Sequence, residues 1–234
     1  MCYKISNTAS VNTIEKAFNV SFRFPKIHKS NPIIDGMKES TVSLITMNKP
    51  KEVSPAIWGI LPESFQNEWQ YFQNVKNTLN LKINDLNEDP KYQEAIKNRR
   101  CLIIATGFFT YYLYDGDLYP YYVHLKSEEP FVMAGIYNQL DDGFKTCSMI
   151  VSKANSYIQK IHNSDMLMPV VLDKLQQEKW LGIKTNTQSI ALILDTVSQL
   201  EFNAYPIAKE FHKRDVVYDS ILEPVFYSDI PKPN

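Results

Sequence analysis

The stretch that most constrains the fold of this 234-residue chain is a succession of short apolar runs. Five runs, rich in branched and aromatic residues, lie at 101–105, 108–114, 121–125, 131–137 and 146–151. Turn-forming residues such as Gly107 and Asp115-Gly116-Asp117 separate them. Strands of this length and spacing predict an antiparallel meander.

Helical patterns lie on both sides of this region. Ser10 predicts an N-cap for a short helix with Val11, Ile14 and Phe18 on one face, and Pro90 predicts the first turn of another. Further helices are predicted over 154–161, 171–180 and 187–199. This combination predicts the α+β class, and the length predicts a single domain covering residues 1–234.

Composition and charge exclude several function classes. The net charge of -1 gives no bulk attraction to nucleic acid or membrane, so a polyanion site must be a local patch. The seven glycines form no nucleotide-binding G-x-G-x-x-G or Walker motif. The sequence opens with no signal-peptide pattern and contains no apolar run long enough to span a membrane, which predicts a cytoplasmic protein.

No metal or cofactor site is predicted. The four histidines are scattered, and neither H-E-x-x-H nor paired C-x-x-C occurs. Three cysteines are an odd number without the spacing of a disulfide framework. Cys101 and Cys147 lie in apolar strands and are interpreted as buried structural residues.

Cys2 follows the initiator methionine directly, and cysteine is small enough for that methionine to be removed. Removal would leave an α-amine and a thiol on one residue. An aldehyde can condense with such an amine and then be trapped by the sulfur in a five-membered ring. Most cysteines at this position have no such role, so the feature gains weight only from what accompanies it.

Several short motifs, taken together and in order, are similar to those of the SOS-response-associated peptidase (SRAP) family, also called abasic-site-processing proteins. The similarity covers roughly residues 1–230. The motifs are Met1-Cys2, Trp58-Gly59 with Pro62, Asn80, the run 99–109, Tyr119-Pro120 leading into 130–137, and His162-Asn163 followed by Met168-Pro169.

The resemblance implies an α+β domain with a curved, mostly antiparallel β core and a basic channel for single-stranded DNA. In that family the N-terminal cysteine captures the aldehyde of an abasic site as a thiazolidine crosslink. The protein can also cleave its own N-terminus, at the bond between Met1 and Cys2. Cys2, Asn80 and His162 correspond to three of the family's catalytic residues. The implied protein is a monomer that binds abasic single-stranded DNA and uses no metal, cofactor or membrane.

The sequence also departs from the family pattern. Thr110 stands where the family has a catalytic glutamate, and Leu167 stands where it has an arginine. A hydroxyl cannot replace a carboxylate as a proton shuttle, and losing a general acid or base typically slows a reaction by ~10²–10⁴-fold. The arginine-to-leucine change removes a planar phosphate contact.

The remaining site residues are assigned from the same resemblance. Lys4, Lys82, Arg99 and Arg100 are candidates for phosphate contacts, and Trp58 and Phe65 for base stacking or packing beneath the site. Two readings stay open beside covalent capture. One is a DNA- or protein-binding module that has lost catalysis, and the other is a cysteine protease acting on other proteins.

Overall fold

The computed structural model describes residues 2–196, 198–212 and 219–230. Its strands are β1 (Lys4–Asn7), β2 (Ser21–Phe22), β3 (Asn31–Asp35), β4 (Thr41–Thr46), β5 (Lys49–Trp58), β6 (Asn80–Lys82), β7 (Arg100–Ala105), β8 (Gly107–Tyr114), β9 (Asp117–Leu125), β10 (Phe131–Gln139), β11 (Lys145–Lys153), β12 (Leu167–Pro169) and β13 (Phe202–Pro206). Its α-helices are α1 (Val11–Phe18), α2 (Trp69–Val75), α3 (Ile83–Glu88), α4 (Pro90–Asn98), α5 (Ser156–Gln159), α6 (Lys174–Leu181) and α7 (Thr187–Asp195).

The strands form two sheets. The smaller has the order β13-β9-β8-β1-β3, and the larger has the order β12-β11-β10-β7-β4-β5-β2, with β6 added beside β11. Most neighbouring strands are antiparallel. Because β5 pairs with β11 as well as with β4, the path β11-β10-β7-β4-β5 returns to its first strand and the sheet curls into a ring. The predicted α+β class and curved, mostly antiparallel core are confirmed.

Strand β7 is buried on both faces, because alternate side chains enter two different apolar cores. Cys101 and Ile103 belong to a core that also holds Cys2 and Trp58. Leu102, on the opposite face, belongs to a core that takes in apolar residues of α1, α4, α6 and α7. Burial on both faces explains the unbroken apolar run in the sequence.

The predicted meander is wrong as one continuous sheet, although two of its hairpins form. β8 pairs with β9, and β10 pairs with β11. However, β7 and β10 lie in the larger sheet, whereas β8 and β9 lie in the smaller one. The chain changes sheets at Thr106, whose N–H donates to the Ser6 carbonyl at 2.7 Å. Gly107 is needed next, because a Cβ there would lie 2.2–2.5 Å from the Tyr122 ring.

The helices agree with the sequence patterns in place but not always in length. Ser10 caps α1 by accepting from Thr13 N–H, and Pro90 begins α4. The helix predicted from residue 171 begins at Lys174 instead. The preceding residues are extended because Val170 and Leu172 exchange backbone hydrogen bonds with β10. The helix predicted over 154–161 is reduced to the single turn of α5.

None of the helices described is long and apolar enough to cross a membrane. The described residues also contain no cluster of three or more His, Cys, Asp or Glu side chains that could hold a metal ion.

Candidate active site at the edge of strand β8

One edge of β8 organises the residues singled out from the sequence. β1 covers only the start of this edge, pairing Ile5 with Phe108. Beyond it, the alternate residues Phe109, Tyr111 and Leu113 direct backbone groups to the same side. These groups contact the Cys2 thiol, the His162 ring and the Asn163 amide in turn.

Cys2 lies in the apolar core with only 4% of its surface exposed. Its Sγ donates to the Lys4 carbonyl at 3.2 Å. Burial raises the pKa of the thiol from 9.0 to about 11, and the backbone of Phe109, the positive N-terminus and the backbone of Lys4 oppose the shift without cancelling it. The sulfur is therefore a protonated thiol at neutral pH.

Asn80 joins Cys2 to the larger sheet. β6 places it opposite Met149 of β11, and its Nδ2 donates to the Cys2 carbonyl at 2.8 Å. The side-chain Oδ1 is buried and has no hydrogen-bond partner among the residues described. Asn80 also lines an open cavity of about 540 Å³. One amide thus fixes the backbone of Cys2 and keeps an acceptor available.

Trp58 supports this arrangement from below. It is 1% exposed, and its Nε1 donates to the Leu79 carbonyl at 2.9 Å, next to Asn80 in the chain. Of the two roles predicted for Trp58, packing beneath the site agrees with the structure. Base stacking does not, because no face of the ring reaches the surface.

Thr110 lies on β8 between Phe109 and Tyr111, opposite Tyr121 of β9. It is 3% exposed, and its Oγ1 has no hydrogen-bond partner in the described part of the chain. An orphaned buried hydroxyl costs about 1–3 kcal/mol, which is a reason for it to accept a ligand contact. Thr110 thus places a neutral polar group on β8, between the two residues whose backbone contacts Cys2 and His162.

His162 is held from both sides of its ring. Nδ1 contacts the Tyr111 carbonyl at 3.2 Å and Nε2 contacts the Asp165 carboxylate at 2.6 Å. The side chain is 3% exposed. Burial lowers the pKa of His162, and the hydrogen bond to Tyr111 opposes that shift. Sequence reasoning missed Asp165, because its position three residues after a candidate histidine does not distinguish it from other loop aspartates.

Arg100 corrects one prediction. It is 1% exposed, and its guanidinium donates to the carbonyls of Ile96 at 2.5 Å, Trp180 at 2.5 Å and Gly182 at 2.6 Å, among others. These carbonyls lie at the C-terminal ends of α4 and α6, where helices leave acceptors unpaired. Arg100 joins two helix ends and is not available to a phosphate.

The other predicted DNA contacts differ in accessibility. Lys82 is exposed beside Asn80, and Arg99 is half-buried and paired with Glu94. Lys4 is largely buried, 3.7 Å from Asp35, and also donates to a backbone carbonyl. Phe65 packs edge-on against Phe72, with ring centroids 5.2 Å apart. Lys82, on the same strand as Asn80, is thus the most accessible of these predicted phosphate contacts.

The chain matches a known protein family over most of its length. The family described as SOS response associated peptidase (SRAP) matches residues 1–214. An abasic site processing protein of Saccharomyces cerevisiae is 18% identical over 179 residues, which are 74% of this chain and 47% of that protein. The chain therefore spans about half the length of this curated relative.

Solved structures share the fold. A protein from Bacteroides thetaiotaomicron superposes with a TM-score of 0.85 and 26% identity, covering 96% of this chain and 100% of that one. A Bordetella bronchiseptica protein gives a TM-score of 0.72 at 15% identity, covering 88% of this chain and 100% of that one. A phage-related protein of the same organism gives 0.61 at 16% identity, covering 88% and 94%.

Proposed function

Because the chain belongs to the SOS response associated peptidase (SRAP) family, we propose that it processes abasic sites, capturing them in single-stranded DNA through Cys2. The observation that carries the proposal is the convergence of Cys2, Asn80 and His162 from three distant segments. Asn80 holds the Cys2 carbonyl, and Cys2 and His162 contact the backbone of Phe109 and Tyr111 on β8, with Thr110 between them. The relative named as an abasic site processing protein supports the choice of substrate.

The chemistry starts from removal of Met1, which lies outside the described residues. The freed α-amine of Cys2 attacks the C1′ aldehyde of the ring-opened sugar. Loss of one water gives an imine. The thiol then adds across the C=N bond, so that sulfur bonds to C1′ and the thiol proton moves to nitrogen. The product is a thiazolidine, and the balance is one water released per crosslink.

The thiol enters this sequence as S–H. Burial raises the pKa of Cys2 to about 11, so the attacking group at neutral pH is the amine rather than a thiolate. Ring closure then needs no free thiolate, because the thiol proton is transferred to the nitrogen of the same residue. A cysteine protease, in contrast, needs a thiolate that a base activates. This difference favours capture over proteolysis of other proteins.

Asn80 and Thr110 supply the polar contacts. The Asn80 amide holds the Cys2 carbonyl, and its buried Oδ1 is free to accept from the amine or from a sugar hydroxyl. The Thr110 hydroxyl is oriented by β8 and can donate to a sugar oxygen. His162 moves protons during ring opening and dehydration.

DNA binding is proposed to use exposed cations beside Asn80. The cavity next to this residue contains Lys76 but also Asp85, Glu88 and Asp89, and Lys76 is 3.3 Å from Asp89. Charge on this wall is therefore mixed, and Lys82 is the accessible cation proposed to contact a phosphate. Binding through few cations predicts a shallow dependence on salt.

The test is to mix Met1-trimmed protein with single-stranded DNA that contains one abasic site. We expect a denaturation-resistant adduct whose intact mass equals protein plus DNA minus one water. Cys2→Ser keeps the amine but removes the sulfur, so it should leave no stable adduct. Cys147→Ser, at a buried cysteine far along the chain, is the matched control and should still react.

A second candidate is a binding module without covalent chemistry, favoured by the neutral Thr110 at the glutamate position. It predicts that wild type and Cys2→Ser bind abasic and intact DNA equally and yield no adduct. Adduct formation that depends on Cys2 and on the abasic site would exclude it.

A further inference from the structure

Both ring nitrogens of His162 face oxygen atoms that accept hydrogen bonds. Satisfying both contacts needs one proton more than a neutral imidazole and an ionised carboxylate carry together. Nδ1 faces the Tyr111 carbonyl, which can only accept. Nε2 faces the Asp165 carboxylate at 2.6 Å, which also accepts when ionised. A neutral imidazole carries one N–H and would leave one nitrogen lone pair against an acceptor. Either the ring is imidazolium or Asp165 carries the proton.

Asp165 is built into this position. Its Oδ1 also accepts from the Leu167 N–H at 3.1 Å, which fixes the carboxylate at the start of β12. Its side chain is 30% exposed, whereas the His162 side chain is 3% exposed. The pair thus extends from the buried strand edge towards solvent, and the exposed part of Asp165 allows it to exchange a proton with water.

Two acidic side chains at this edge, Cys2 and Tyr111, keep their protons near neutral pH. The positive N-terminus also lowers the pKa of His162, and the α-amine of Cys2, once freed, is used as the attacking group. Burial raises the pKa of Cys2 to about 11 and raises that of Tyr111 still further. Asp35, which acts on Tyr111, lies 3.7 Å from the Lys4 ammonium. Thr110 has no acidic proton in this range. Because the amine is the nucleophile, His162 and Asp165 are the groups left to give protons to the sugar oxygens and to take them back.

We propose that His162 and Asp165 form one proton-holding pair, in which Asp165 positions His162 as the acid and base for opening and capturing the abasic sugar. The proposal rests on the proposed function and assigns a role to a residue outside the family motifs. The pair supplies the ionisable group that Thr110 cannot.

The steps balance within the pair. In ring opening, the imidazolium gives a proton to the departing ring oxygen, and the imidazole recovers one from the anomeric hydroxyl. In imine formation, it protonates the leaving hydroxyl of the carbinolamine and recovers a proton from nitrogen. Each step returns the pair to its starting state, so no other reactant is consumed.

The first test needs no DNA. NMR of the His162 ring in the free protein should show a proton on each ring nitrogen, or one shared with Asp165, near neutral pH, because the carboxylate 2.6 Å from Nε2 opposes the lowering of the His162 pKa by burial. In Asp165→Asn the midpoint should fall by about one pH unit or more, because the neighbouring negative charge is lost. The same midpoint in both proteins would overturn the proposal.

The second test measures crosslinking rate against pH. If the protonated pair is the acid, the rate falls as pH rises through its midpoint. Asp165→Asn should move this fall to lower pH and slow the reaction at neutral pH by about 10²-fold. A merely structural role would lower the rate equally at every pH. Asp165→Glu should restore the wild-type profile in part.

Asp142→Asn is the matched control, because Asp142 makes the same local contact, accepting from the Phe144 N–H at 3.0 Å, without a histidine. It should leave both readouts unchanged. If wild type forms no adduct, the proposed function fails, while the NMR titration still decides whether the pair exists. If Asp165→Asn does not fold, the wild-type titration and Asp165→Glu decide it.

Discussion

The burial of Cys2 makes a quantitative prediction about its reactivity. A rise of the thiol pKa from 9.0 to about 11 lowers the thiolate fraction near neutral pH by about 100-fold. Since the thiolate is the form that iodoacetamide attacks, alkylation of Cys2 should be at least about 100-fold slower than in a peptide of sequence Met-Cys-Tyr-Lys. Restricted access at 4% exposure slows it further.

The assay is intact-mass kinetics of alkylation between about pH 7 and pH 10, with peptide mapping to assign the site. Cys101 and Cys147 are both 0% exposed and serve as internal controls that should not react. Alkylation of Cys2 within a few-fold of the peptide rate, with a midpoint near the ordinary value, would refute the reasoning.

The raised pKa of Cys2 also makes the free energy of unfolding depend on pH. The folded protein favours the protonated thiol, so this contribution is fully present below the unfolded pKa and is lost as pH rises through the folded one. Two pKa units correspond to about 3 kcal/mol, lost between about pH 9 and pH 11. Subtracting the unfolding free energies of Cys2→Ala from those of wild type at each pH isolates this contribution. A difference that does not change with pH would contradict it.

Three further predictions follow from contacts elsewhere. Arg100→Met should lower the free energy of unfolding by about 3–5 kcal/mol in urea titrations, because buried helix-end carbonyls lose their donor. It should leave the salt dependence of DNA binding unchanged. A weaker salt dependence in the variant would show that Arg100 contacts a phosphate. Gly107→Ala should cost about 1–3 kcal/mol in the same titrations, because its Cβ would overlap the Tyr122 ring, and an unchanged midpoint would refute this. Thr110→Glu should accelerate reversal of the crosslink by about 10²-fold or more. The reversal rate is measured by adding excess unlabelled abasic DNA to the preformed adduct. An unchanged rate would count against an acid/base role for this position.

The strands β7–β11 and the turns between them were predictable because alternation, branched residues and turn sequences are local signals. The change of sheet at Thr106 was not, because it depends on Gly107 approaching a ring fifteen residues away. Nothing local distinguishes that glycine from one in an ordinary hairpin turn.

Arg100 and Asp165 show the same limit at the level of single residues. The adjacent Arg99 and Arg100 predict a surface patch, yet Arg100 is buried because two helices end beside it and leave carbonyls without donors. Asp165 resembles any loop aspartate until β8 brings His162 against Tyr111 and leaves the other ring nitrogen facing the carboxylate. Asn80 and His162 were identified because motif order, rather than residue type, carried the information.

The pairing of β1 with β8 fixes the distance along the chain between the sheet and Cys2. Ile5 is locked opposite Phe108, and only Tyr3 and Lys4 separate it from Cys2. Because a strand repeats every two residues, adding or removing one residue in this interval would turn the cysteine to the other face of the sheet. The number of residues between Cys2 and β1 is therefore fixed by the pairing of β1 with β8, independently of the contacts that the side chains of Tyr3 and Lys4 make.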